Sequence, residues 1–134
     1  MFRLSKKVDY GLIAVRHIAL NSDSGLISAR EIAEKNGINF DLMAKILQKL
    51  VRAGIIISTQ GSHGGYILAQ PSDKITLDTV IEAIEGPVSL TDCHKKLKHT
   101  ACGSLQSCKI RALLKKIQND VRQLFTQVTI SEIL

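Results

Sequence analysis

The chain has 134 residues, 45% of them hydrophobic and 22% charged, which is enough for one compact domain with an appendage and is not the profile of a disordered chain. The formal net charge of +6 makes an anionic partner plausible, while the absence of Trp and the presence of only three Phe and two Tyr argue against a stacking platform for single-stranded nucleic acid. No apolar run is long enough to span a bilayer and the start lacks a leader pattern, so the expectation is a cytoplasmic chain with no membrane partner, its thiols kept reduced.

From Leu4 to Leu20 the apolar residues Leu4, Val8, Leu12, Val15, Ile18 and Ala19 form a helical stripe, with Ser5 as a candidate cap and Asn21 to Gly25 as the break. A second helix is predicted from Ser28, where Ser28 and Glu31 have capping-box spacing, to a stop at Gly37. A third starts at Asn39 or Asp41, turns Met43, Ile46, Leu47, Leu50 and Val51 inward, and stops at Gly54. Two short helices joined by a turn containing a glycine are the pattern of a helix-turn-helix. Ile55 to Thr59 and Tyr66 to Ala69 then read as two strands around the turn cluster Gly61 to Gly65, and a hairpin in that place is a wing. Thr76 caps a fourth helix carrying Leu77, Val80, Ile81 and Ile84, which ends at Gly86-Pro87.

All three cysteines, Cys93, Cys102 and Cys108, follow within one polar, basic segment, separated by eight and then five residues. A core would have to bury the intervening Lys, Gln and Ser without partners, whereas a polar loop that gathers soft thiolates suits a metal centre. Zinc is a rival to iron here, because His94 or His99 could complete a Cys₃His set; a thiol redox switch is another. Beyond the loop, Ile110, Leu113, Leu114, Ile117, Val121, Leu124, Phe125 and Val128 keep steps of three and four. Lys109, Lys115, Lys116, Asn119, Asp120 and Arg122 are assigned to the opposite face. So long a stripe needs a cover, and a second copy of the chain is the simplest one. Charge follows the same division. Residues 1–70 carry nine Lys/Arg against five Asp/Glu, residues 71–92 one against five, and residues 93–134 eight against two.

These residues resemble the bacterial winged-helix regulators of the IscR/NsrR type, which carry iron–sulfur clusters. The likeness rests on Leu4-Ser5-Lys6, Asp9-Tyr10-Gly11-Leu12, Glu31-Ile32-Ala33-Glu34, Arg52-Ala53-Gly54, the wing from Gly61 to Gly64-Gly65-Tyr66, Glu85-Gly86-Pro87, the three cysteines and the closing Thr129 to Leu134. It covers essentially the whole chain. The run from Glu85 through Thr91-Asp92-Cys93 is most similar to regulators attached to the SUF cluster-assembly system. Four departures from the IscR-like pattern stand out. The first cysteine interval is three residues longer, Arg111 replaces a histidine, Gln60 replaces a common wing arginine, and Ala44-Lys45 replaces a pair that begins with glutamate.

The resemblance implies an α+β, mainly helical fold: a winged helix-turn-helix domain over residues 1–87, a cluster loop over 88–108, and a dimerisation helix with a C-terminal segment over 109–134. It implies a homodimer that binds a double-stranded DNA operator and represses transcription, controlling cluster-assembly genes, with a 2Fe-2S or 4Fe-4S cluster on Cys93, Cys102 and Cys108. Asp9 matches the aspartate that NsrR-like members supply from the partner subunit, and is the fourth candidate ligand beside His94 and His99. A nitric-oxide- or redox-sensing repressor of the same family is the alternative, and a zinc-stabilised, non-sensing adaptor is the alternative of another class. For DNA, the candidates are Lys6 and Lys7 at the start of the first helix, Ala44, Lys45, Lys49 and Arg52 on the third, and Ser58, Thr59, Gln60, Ser62 and His63 in the wing. No nucleophile–base pair, phosphate loop or paired-carboxylate pattern supports an enzyme.

Overall fold

The computed structural model describes residues 3–90 and 108–134. Helix α1 spans Lys6–Leu20, and Ser5 caps it by accepting a hydrogen bond from the Val8 amide. Helix α2 (Ala29–Asn36) is capped in the same way by Ser28 to Glu31, and helix α3 (Phe40–Arg52) by Asn39 to Leu42. Between them, Gly37 sits at φ 63°, a left-handed position that costs a residue with a Cβ and suits glycine. It turns the chain so that α3 packs across α2 and α1 in the helix-turn-helix arrangement.

Strands β1 (Ile56–Thr59) and β2 (Gly65–Leu68) pair antiparallel, with Ser58 opposite Tyr66 and Thr59 opposite Gly65. Ile27 adds a third, one-residue edge, exchanging backbone hydrogen bonds with Tyr66 at 2.8 and 3.1 Å. The Gly64-Gly65 pair answers to this close approach. A Cβ on Gly65 would meet the Ile27 carbonyl oxygen at 2.7 Å, and one on Gly64 would strike the Thr59 carbonyl oxygen. Backbone contact therefore excludes any larger residue at either position.

Helix α4 (Leu77–Glu85), capped by Thr76, lies against α1 and α3. Its Ile84 fills the space beside Gly11 of α1, where a Cβ would collide with the Ile84 side chain. One continuous core results, with Val8, Val15 and Ile18 of α1, Ile32 of α2, Met43, Ile46, Leu47 and Leu50 of α3, and Val80, Ile81 and Ile84 of α4. Helix α5 (Lys109–Gln127) packs on α4, and the tail beyond it returns to this core. Leu77 donates its amide to the Val128 carbonyl and Ile130 donates to the Ile75 carbonyl, both at 2.9 Å, which leaves the Ile130 side chain 1% exposed. Arg16 Nε closes the tail by donating to the Ile133 carbonyl at 2.6 Å. Among the described residues, no helix is long and apolar enough to cross a membrane.

Candidate nucleic-acid interface and cysteine segment

Burial of Met43, Ile46, Leu47 and Leu50 fixes the rotation of α3 and leaves its opposite face outward. On that face lie Asp41, Lys45, Gln48 and Arg52, all exposed, with Ala44 half-buried at its edge. The steps of three and four put them on one row, and such a row on the second helix of a helix-turn-helix meets the major groove. Gln48 belongs to the row as fully as the two cations; its place between Lys45 and Arg52 at helical spacing was the signal for it.

Lys49 does not share that face. It is half-buried, and its Nζ donates to the Ile84 carbonyl at 3.0 Å, at the C-terminal end of α4. One residue after Gln48, and so about 100° around the helix from it, Lys49 lies on the flank of α3 nearer the body, where a carbonyl of the last turn and the negative end of the α4 dipole attract an ammonium group. The expectation that Lys49 stands beside Lys45 facing outward is corrected accordingly.

Ser58, Thr59, Gln60, Ser62 and His63 of the wing are exposed, as are Lys6 and Lys7 at the start of α1. Lys6 lies 4.0 Å from Asp9, an exposed pair of little energetic weight. Between the wing and the first turns of α2 and α3 opens a cleft of about 420 Å³. Arg30 and Phe40 line it, and the Arg30 guanidinium lies 5.3 Å from the centroid of the Phe40 ring. Neither residue follows from motif reading, because the stack joins two helices and is visible only once they are packed.

Cys108 is the described member of the cysteine set; Cys93 and Cys102, with His94 and His99, lie outside the described residues. Cys108 is half-buried in extended backbone at the N-cap position of α5. Along α5, Leu114, Val121 and Phe125 are half-buried, Phe125 against the core, while Ile110, Leu113, Ile117 and Leu124 stay exposed, Leu113 at 58% and Leu124 at 61%. Arg122, expected on the polar face, instead turns inward to the carboxylates of Asp78 and Glu82. The reason is Asp78 itself, an acidic group 6% exposed that has to be paired.

A buried helix-turn-helix scaffold, an outward cationic row on α3 and an adjacent wing define a winged-helix DNA-binding regulator of transcription. The comparison with known families agrees. A model of the Rrf2 family, described as an iron-dependent transcriptional regulator, matches residues 4–134, and the chain belongs to that family. The transcriptional regulator IscR of Cronobacter sakazakii is 28% identical over 132 residues, covering 98% of this chain and 80% of its own. The structure of CymR, the global cysteine regulator of Bacillus subtilis, superposes with a TM-score of 0.76 at 26% identity over 99% of this chain and 96% of that one. IscR from T. potens shares the fold, with a TM-score of 0.72 at 23% identity over 98% and 85%. These relatives are regulators of transcription and not enzymes.

Proposed function

We propose that this chain is a homodimeric repressor whose operator affinity is set by an iron–sulfur cluster on Cys93, Cys102 and Cys108, and that its targets are cluster-assembly genes. The observation that carries the reading is the position of Cys108. The last of three closely spaced thiols opens the helix that carries the exposed apolar stripe. The donor set suits such a group, because soft thiolates are what iron–sulfur clusters take. Asp9 suits a fourth place supplied across the dimer. Its side chain is 50% exposed and its recorded partner is a loose contact with Lys6, so it can turn to a ligand at little cost.

Bound, the cluster would supply a crosslink among the thiolates that responds to iron supply, nitric oxide or oxidants. The chain's own residues carry the consequence. Cys108 ties the loop to the start of α5, Arg122 ties α5 to α4, and Lys49 ties α4 to the recognition helix. A second copy covering Ile110, Leu113, Ile117 and Leu124 would place two α3 helices at a fixed separation. A dimer reads paired half-sites only when that separation matches the duplex, so a small change at α5 alters affinity.

The test is anaerobic purification with iron, sulfide and visible spectra, followed by DNA binding of the loaded and stripped protein. The expected result is a coloured protein with two or four irons per cluster, which each of the three Cys→Ala changes abolishes. A colourless protein containing zinc would support the adaptor alternative. A metal-free protein whose DNA binding responds to disulfide formation would support a thiol switch.

A further inference from the structure

We propose that Arg30, held on the face of Phe40, binds a DNA backbone phosphate between the wing and the helix-turn-helix. The inference deepens the DNA-binding reading and rests on it. Arg30 belongs to the first turn of α2, directly after the Ser28 cap, and Phe40 opens α3. The two first turns face one cleft of about 420 Å³ whose other wall is the wing, with Thr59, Gln60 and Tyr66. Arg30 is the one charged side chain among the described residues lining this cleft.

Two observations indicate that the guanidinium is prepared for a ligand. Phe40 is 44% exposed, yet its ring face lies 5.3 Å from the guanidinium carbon, a contact that orders a long side chain while leaving its in-plane N–H donors unused. Among the described residues Arg30 has no carboxylate partner; the ion pairs of α2 are made by Glu31 with Lys35 and His17. A planar fork of free donors at the mouth of a cleft suits a tetrahedral oxyanion. The first helix of a helix-turn-helix crosses the backbone of the duplex while the second enters the groove, so the anion within reach is a phosphodiester and not a base edge. Gln60 and Thr59 across the cleft are uncharged, which leaves Arg30 to supply the charge at this contact.

The experiment is a salt titration of the full chain on two probes, a random-sequence duplex and a duplex enriched by binding to the wild-type protein. Arg30→Gln should weaken binding to both duplexes by a similar factor and flatten the log–log salt dependence by about one for each half-site engaged. Arg30→Lys should restore the slope. Phe40→Leu should keep the slope and weaken binding by about two- to fivefold per half-site, the equivalent of an exposed cation–π contact. An unchanged slope and affinity in Arg30→Gln, or a loss confined to the enriched duplex, overturns the proposal; the second result would make Arg30 a base reader. Arg30 is exposed, so a thermal melt matching wild type is expected for its variants. If Phe40→Leu unfolds, the Arg30→Gln and Arg30→Lys pair still decides. Failure of the wild type to bind either duplex would instead remove the DNA-binding reading.

Discussion

Arg122 of α5 donates from Nε to Asp78 Oδ2 at 3.2 Å and from a terminal nitrogen to Glu82 Oε2 at 2.7 Å, clamping α5 to two successive turns of α4. Asp78 is the one buried charged residue among those described, and its second oxygen, Oδ1, is buried without a hydrogen-bond partner. The hydrogen bond and charge of Asp78 raise the Arg122 pKa above its ordinary value, so the guanidinium stays ionised at any working pH.

Removing the arginine should therefore cost more than a surface pair would. Breaking a buried pair costs about 3–5 kcal/mol, but Arg122 is 42% exposed and solvent screens part of the interaction, so we expect about 1–2 kcal/mol for Arg122→Ala. In urea denaturation, the double change with Asp78→Asn should be less destabilising than the sum of the two single changes. Strict additivity would show that the clamp carries no energy.

The exposed stripe on α5 leads to a prediction about assembly. Leu113→Glu places a charge in the middle of that stripe, at a position that is 58% exposed in the single chain. The protein should sediment as a monomer with a melting curve close to that of the isolated fold. A variant that remains a dimer would move the interface elsewhere.

On α3, two lysines four residues apart should behave differently. Lys45→Gln should reduce the salt dependence of DNA binding by about one per half-site, because Lys45 stands on the outward row. Lys49→Met should leave that slope unchanged and instead lower stability by about 0.5–1.5 kcal/mol, through loss of the bond to the Ile84 carbonyl. Equal slope changes in the two variants would mean that Lys49 leaves α4 to meet the duplex.

Glu31 supplies a pH-dependent term. Its hydrogen bond with Lys35, followed by that with His17, lowers its pKa from the usual 4.5. A carboxylate whose folded pKa is depressed stabilises the fold fully above the unfolded value, and that stability is lost as pH falls through the folded value. The gap in melting temperature between wild type and Glu31→Gln should thus close as the pH falls below 4.5. A gap that widens on acidification would contradict the sign of the shift.

Much of this architecture was legible in the linear chain because its causes are local. Ser5, Ser28, Asn39 and Thr76 each bond an amide three residues ahead, so cap and helix start lie within one window of sequence. Gly37 terminates α2 through its own φ, and the α5 stripe follows from the helical period. The interactions that decide the site join residues far apart in sequence. Arg122 reads as a solvated charge until α4 presents a buried Asp78, and Lys49 reads as a DNA contact until the end of α4 comes to rest beside it. Arg30 meets Phe40, Ile27 pairs with Tyr66, and Ile130 returns to Ile75 only once the helices have packed. Helical periodicity and capping constrain the face a side chain occupies. What it faces is decided by the packing of the other elements, because a charge or a backbone amide turns toward whichever partner burial leaves it.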